Sequence, residues 1–338
     1  MKLLQNHTLR NYNTFGVNVS AKLFAEVFSE SELENFLNDE NFKSQKKIII
    51  GGGSNILFTK DFDGIIIKTS ITGITIVEEY DDKVLIESGA GTIWDDLVAY
   101  CVNKKFGGIE NLTSIPGSVG AAPIQNIGAY GQELSDSFYS LDGFYLDNGK
   151  KKIFTKDDCN FAYRNSIFKE ELKNKFIITS VRLKLSKNPE VNTKYKSLRE
   201  YFLKREMTNP TIKDVRKAVA EIRQSRLPDP KVIGNAGSFF KNPEISFESF
   251  DKLKSAFPDV VNFPAGNDKV KISAGWLIEK CGWKGKRVGD VGASPDHALV
   301  ICNFGQAKGS EILEFALRIK EDVRNKFGIT LQEEVNIL

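Results

Sequence analysis

The sequence predicts an α+β protein of more than one domain, and three observations carry that prediction. Short β-branched runs alternate with glycine turns through the first half. Amphipathic helical patterns interrupt those runs and return near the C-terminus. Asn188-Pro189 and Asn209-Pro210 break the pattern between the halves. A chain of 338 residues also exceeds what one core comfortably organises. The expected division is 1–188 as an N-terminal region of two α+β subdomains, 189–210 as an interdomain loop, 211–330 as a C-terminal domain and 331–338 as a terminal strand.

Each element has a local reason. Ser29 is placed to cap a helix whose apolar positions are Leu33, Phe36 and Leu37. Strands are expected at 47–50, 64–68, 74–78 and 84–87, where β-branched residues cluster between turns. Thr92 with Asp95 three residues on reads as a capping box for a helix that buries Leu97, Val98 and Cys101. Val181, Leu183 and Leu185 alternate with polar residues, as in a half-buried strand. Thr211 and Asp214 form a second capping box ahead of Ile212, Val215, Val219 and Ile222, and Leu227-Pro228-Asp229-Pro230 stops that helix. A long helix from Ser310 to about Phe327 carries Ile312, Ala316, Ile319, Val323 and Phe327 on one stripe, and Gly328 ends it. In the final strand, period two puts Glu333 and Glu334 on opposite faces.

Composition narrows the function classes. Forty-seven basic and 44 acidic residues give a net charge of only +3, with no dominant basic run, so no nucleic-acid or membrane partner is expected. Four scattered cysteines without a C-x-x-C pair suit reduced thiols, and with two histidines no metal site is expected. No apolar stretch approaches the roughly 20 residues of a membrane span. The N-terminus turns polar at once, unlike a signal peptide. A cytoplasmic monomer is expected.

Three glycine-rich segments invite a ligand. Gly51-Gly52-Gly53-Ser54-Asn55 follows a strand, where backbone N–H groups can line a phosphate or simply form a tight turn. Gly89-Ala90-Gly91 precedes a helix, but Trp94 occupies the third glycine position of a Rossmann fingerprint, so that reading fails. Residues 107–131 form a long, weakly charged, glycine-rich loop, a composition suited to backbone wrapped around a large ligand.

At that loop the chain resembles the UDP-N-acetylenolpyruvoylglucosamine reductases. The strings that carry the resemblance are Asn13-Thr14-Phe15-Gly16, Gly51 to Asn55, Ile115-Pro116-Gly117-Ser118-Val119-Gly120, Gln125 to Gly131 and Phe161 to Ser166. They continue with Gly234 to Pro243, Ala274 to Glu279 and Glu333-Glu334-Val335, in family order across nearly the whole chain. The resemblance implies an FAD-binding fold of the vanillyl-alcohol-oxidase type over 1–188, with a C-terminal substrate domain. In that fold loops hold the pyrophosphate, which accounts for the failed Rossmann test. Gly51, Gly52, Gly53, Ser54, Asn55, Ile115, Pro116, Gly117, Ser118, Gly120 and Ala121 are implied contacts of non-covalent FAD. The implied reaction is NADPH-dependent reduction of UDP-N-acetylglucosamine enolpyruvate.

Such a reaction develops negative charge beside a carboxylate and then protonates a carbon. A permanently charged guanidinium suits the first task, and Arg164 is the implied residue. Ser238 is the implied proton donor, and Glu334 the implied acid, acting protonated or by orienting a partner. Tyr163, Tyr195, Arg226, Asn242 and Tyr130 are implied substrate contacts. The family's Glu-Pro-Glu-Val ending appears here as Gln332-Glu333-Glu334-Val335, so Glu333 stands as a second candidate acid. His297 takes the place of a glutamine in some relatives, where a structural histidine is the plainer reading. A flavin oxidase of the same fold and a non-catalytic UDP-sugar-binding or flavin-binding module are the alternatives.

Overall fold

The computed structural model describes residues 1–266 and 268–338. It divides into two compact units. One comprises Met1–His7, Ala21–Gly52 and Phe62–Ser225; the other comprises Thr8–Ser20, Gly53–Asp61 and Arg226–Leu338.

In the first unit one sheet has the order Lys2–Thr8, Ser20–Val27, Phe62–Thr69, Lys47–Ile50. Phe62–Thr69 runs parallel to the strands on both sides. The helix Glu30–Asn38 lies in the connection between the two flanking strands, Ser20–Val27 and Lys47–Ile50. Ser29 caps that helix by accepting from Glu32 N, as its sequence predicts, and Leu33, Phe36 and Leu37 pack onto Ala25, Val27, Ile65 and Ile67. The second sheet is antiparallel, in the order Lys151–Thr155, Phe138–Tyr145, Phe176–Ser186, Lys83–Gly89, Ile74–Glu79. Its inward residues Val84, Ile86, Val181 and Leu183 meet the helix Trp94–Asn103 through Trp94, Leu97, Val98 and Cys101. Trp94 is buried and its indole N–H donates to Leu112 O at 2.9 Å, so truncation to Ala would cost about 3–5 kcal/mol.

Two expectations change here. The stretch 189–210 is not simply a loop: it holds the helix Lys196–Leu203. That helix packs against Ile212–Gln224 through Leu198, Phe202, Val215 and Val219, so residues 211–225 join the first unit rather than the second. The Thr211–Asp214 capping box is present as predicted. The Thr92–Asp95 box is absent: the helix starts after Ile93 without a side-chain cap, and the Thr92 hydroxyl instead contacts Gly73.

The second unit has an antiparallel sheet ordered Gly234–Ser238, Val300–Asn303, Val291–Ala293, Arg287–Val288. A smaller one is ordered Glu244–Ser246, Lys269–Ile272, Asn262–Pro264. The helix Gly309–Phe327 buries Ile312, Phe315, Ala316, Ile319 and Val323, and Gly328 ends it at φ +68°. The terminal segment is less regular than a strand over 331–338. Glu333 bridges to Phe240, and only Asn336–Ile337 pairs as a strand, parallel to Ile56–Leu57. Among the described residues no helix is long and apolar enough to cross a membrane.

Candidate active site

The first unit presents a cradle made almost entirely of backbone. Residues 90–94 zip against 117–120: Trp94 N donates to Gly117 O, Val119 N to Thr92 O and Gly120 N to Ala90 O, at 2.8–3.0 Å. Gly51 and Gly52 lie against this ribbon, and side chains have no room there. A Cβ on Gly51 would fall 2.3 Å from Ser118 Oγ, one on Gly52 3.1 Å from Gly117 Cα, and one on Gly120 2.5 Å from Ala90 Cβ. Gly117 adopts φ +124°, which glycine alone tolerates without strain. Ser118 Oγ is buried and finds no hydrogen-bond partner among the described residues. A buried hydroxyl left unpaired costs free energy, so this one fits a ligand oxygen that would complete it. Ile115 is half-buried and Pro116 exposed at the mouth of the same loop, and Ala121 abuts Gly51. The residues present therefore fit the pyrophosphate end of FAD.

The Gly51–Asn55 string is divided. Gly51 and Gly52 belong to this cradle, whereas Gly53, Ser54 and Asn55 belong to the second unit. Gly53 is required there, since its φ is +66° and a Cβ would meet Tyr12 O at 2.0 Å. Asn55 O accepts from Asn336 N at 3.0 Å and Asn55 Nδ2 donates to Glu334 O at 3.2 Å. Asn55 thereby shapes the terminal segment of its own unit.

Also in the first unit, two loops are welded together around Arg164. Asn126 Nδ2 donates to Glu133 Oε2 at 2.7 Å and to Ala162 O at 3.3 Å, and Ser166 Oγ donates to Ile124 O at 2.8 Å. Arg164 hydrogen-bonds Gly128 O and lies 5.4 Å from the Tyr163 ring centroid. Arg164 and Tyr130 both adopt positive φ, +52° and +50°. Non-glycine residues hold that conformation only where their surroundings impose it, and it is common at functional sites. Tyr130 and Tyr195 meet edge-to-face at 5.4 Å, with Tyr195 41% exposed. The structure thus brings Tyr163, Arg164, Tyr130 and Tyr195 into one neighbourhood of the first unit. Arg223, which sequence reasoning missed, is half-buried there and donates from Nε to Ser114 O at 3.2 Å. Burial pushes its guanidinium below the usual arginine range, and the Arg164 charge adds to the effect.

In the second unit Ser238 ends the strand Gly234–Ser238, opposite Val300. A bulge between Asn235 and Ser238 re-aims it. The bulge has a clear cause: Gly237 takes φ +70°, and Asn235 Oδ1 accepts from Gly237 N at 2.9 Å. Asn235 Nδ2 donates to Pro228 O and Ile233 O, so this buried amide shapes the turn. Asn235 is a second residue missed as functional, although its Asn-x-Gly spacing is a known turn signal. The chain beside Ser238 is tied to the terminal acids: Glu334 N donates to Phe239 O at 2.8 Å and Lys241 N to Gln332 O at 2.9 Å. Glu333 is engaged by Lys320 at 2.8 Å. Glu334, on the other face, is half-buried. Asn242 has a fold role, its Oδ1 accepting from Ala274 N at 2.9 Å, and Arg226 is exposed at the start of the unit's main segment.

Comparison with known proteins bears on the family and the fold. Residues 21–150 match the FAD binding domain family, and residues 229–338 match the family described as UDP-N-acetylenolpyruvoylglucosamine reductase, C-terminal domain. A UDP-N-acetylenolpyruvoylglucosamine reductase of Flavobacterium johnsoniae is 46% identical, covering 100% of both chains. That of Pseudomonas aeruginosa is 42% identical over 99% of this chain and 98% of its own. The crystal structure of a UDP-N-acetylenolpyruvylglucosamine reductase from Thermus caldophilus superposes with a TM-score of 0.67. At 24% identity over 99% and 98% of the two chains, it speaks for the fold.

Proposed function

This chain belongs to the UDP-N-acetylenolpyruvoylglucosamine reductase family, and from that premise we infer that it is an FAD-dependent oxidoreductase reducing UDP-N-acetylglucosamine enolpyruvate to UDP-N-acetylmuramate for peptidoglycan synthesis. The observation that carries the cofactor is the side-chain-free cradle with the unpaired Ser118 hydroxyl. Bound there and reduced by NADPH, FAD would supply the hydride chemistry that saturates the enolpyruvyl double bond.

The chain's own residues have separable tasks. Gly51, Gly52, Gly117, Ser118 and Gly120 would hold the cofactor phosphates, the Ser118 hydroxyl donating a hydrogen bond to them. Arg164 pairs with the substrate carboxylate, whose negative charge grows as the double bond is saturated; Gly128 O and the Tyr163 ring fix the guanidinium. Ser238 moves a proton from Oγ to the carbon next to that carboxylate. Glu334 is the acid beside it in the fold of the second unit, because Lys320 already neutralises Glu333. Tyr130, Tyr163 and Tyr195 line the substrate path in the first unit, and Arg226 meets the diphosphate as a permanent cation. The reaction draws on a reduced nicotinamide and a nucleotide sugar, which favours the cytoplasm.

The test is NADPH oxidation by the yellow protein with and without the enolpyruvyl sugar. The expected result is sugar-dependent consumption with stoichiometric UDP-N-acetylmuramate. Oxygen consumption without NADPH would favour a flavin oxidase instead, and a yellow protein inert to both substrates would favour a binding module.

A further inference from the structure

Asp95 stands three residues after Thr92, where a capping box would use it, yet it is committed elsewhere. Its Oδ1 accepts from Ser114 N at 2.7 Å, and its Oδ2 accepts from Arg216 Nη2 at 2.9 Å. Ser114 is the residue that enters the cofactor loop, immediately before Ile115-Pro116-Gly117-Ser118, and its φ is +57°. That conformation is disfavoured for a non-glycine residue, and hydrogen bonds to both its N–H and its carbonyl hold it there. Both are held: Asp95 takes the N–H, and Arg223 Nε donates to the carbonyl at 3.2 Å.

Arg216 and Arg223 stand two helical turns apart on Ile212–Gln224, on the face turned toward Trp94–Asn103, so one helix supplies both cations. Arg216 Nε is buried without a partner among the described residues, so the guanidinium relies on Asp95 for its charge pairing. The backbone zip from Ala90 to Trp94 fixes the loop from Gly117 to Gly120 but does not reach Ser114. The entry angle of the loop is therefore set by side chains from two helices.

We propose that Asp95, neutralised by Arg216, is a positioning residue for FAD: it holds Ser114 in its left-handed conformation and so presents the 115–118 backbone and the Ser118 hydroxyl to the cofactor. The inference rests on the FAD reading above. It explains why a helix start that lacks a side-chain cap nevertheless carries Asp95: the carboxylate serves the loop and not the helix.

The experiment is FAD titration of the full-length apoprotein, followed by flavin fluorescence quenching, alongside thermal melting without FAD. The comparison set is parent, Asp95→Ala, Asp95→Asn and Val98→Ala. Val98 is fully buried on the same helix and takes no part in the hydrogen bonds of Asp95, Ser114, Arg216 or Arg223, so Val98→Ala reports plain helix destabilisation. Asp95→Ala is expected to raise the FAD Kd at least tenfold. Asp95→Asn keeps an acceptor for Ser114 N and should raise it about threefold. Val98→Ala should lower the Tm with the Kd within twofold of parent. Equal Kd values for parent and Asp95→Ala, or equal weakening by Asp95→Ala and Val98→Ala, would overturn the proposal. If Asp95→Ala does not fold, Arg216→Gln takes its place beside Asp95→Asn, and a Kd within twofold of parent for both has the same consequence. The parent titration separates the two readings: a parent that fails to bind FAD removes both, whereas tight binding by parent and variant alike removes only the role of Asp95.

Discussion

The FAD cradle of the first unit and the Ser238–Glu334 region of the second are built on opposite principles. The cradle excludes side chains: Gly51, Gly52 and Gly120 have no room for a Cβ, and a single hydroxyl is left to make a bond. The Ser238 region relies on side chains, aimed by the Asn235–Gly237 bulge and by a terminal segment stitched to Phe239 and Lys241. The contrast teaches that holding a phosphate and the proton chemistry proposed for Ser238 place different demands on sequence. A cofactor phosphate is held by peptide groups, which any residue has and only glycine exposes so closely. A proton must travel through a particular atom.

If that contrast holds, variants of the two regions fail differently. The largest effect is expected from Ser238→Ala, which should lower kcat by about 10²–10⁴-fold while the protein stays yellow and is still bleached by NADPH. Parallel loss of flavin would merge the two regions and weaken the distinction. Glu334→Gln should lower kcat by about 10²-fold or more, whereas Glu333→Gln should change it less than threefold, since Lys320 occupies Glu333. The reverse order in steady-state kinetics would transfer the acid's role to Glu333.

Gly120→Ala comes next. Its Cβ would lie 2.5 Å from Ala90 Cβ, and the colourless apoprotein is the expected product, measured as the flavin-to-protein absorbance ratio. Ser118→Ala gives a smaller and more diagnostic change. It should weaken FAD about tenfold, the cost of one hydrogen bond to a charged oxygen, yet leave the apoprotein Tm unchanged or raised, because it removes a buried hydroxyl that lacks a partner.

The smallest effect should come from Thr211→Ala, which removes only the cap of the helix Ile212–Gln224. Losing that cap costs about 1 kcal/mol and lowers Tm by about 1–3 °C, with kcat and flavin content unchanged. Its Asp214 partner is held below the usual carboxylate range by hydrogen bonds from the Thr211 hydroxyl and backbone. Since the folded state lowers that pKa, the contribution is present above the ordinary Asp range and lost as pH falls through the depressed value. Melting curves of parent and Thr211→Ala should therefore converge in acid.

Much of the fold was legible because its signals are local. The Ser29 and Thr211 caps, the apolar stripe from Ile312 to Val323 and the Gly328 stop all appear where the sequence predicts them. Each depends on residues within a turn or two. The cradle was legible in part, since the need for glycine shows in the sequence but its reason, a neighbour such as Ser118 or Gly117, does not. The Thr92–Asp95 pair was misread because the same spacing serves a cap or leaves both residues free, and contacts with Gly73 and Ser114 drew them away. Asn242 Oδ1 also accepts from Ala274 N, 32 positions on, a fold role that its sequence surroundings do not signal. Residues 211–225 were assigned to the wrong unit because Leu198 and Phe202, on a helix hidden in an expected loop, supply the surface that their apolar face covers.

By itself the sequence determined the class of the chain and the helices capped at Ser29 and Thr211. Those follow from periodicity and residue type, which are properties of neighbours along the chain. Tertiary structure alone decided which unit claims each segment of a shared motif, as when Gly52 and Gly53 part company. It also settled that Lys320 neutralises Glu333 and that Asp95 and Arg223 clamp Ser114. A carboxylate bonds whichever donor the fold brings within about 3 Å, and that distance is set by packing between elements far apart in sequence.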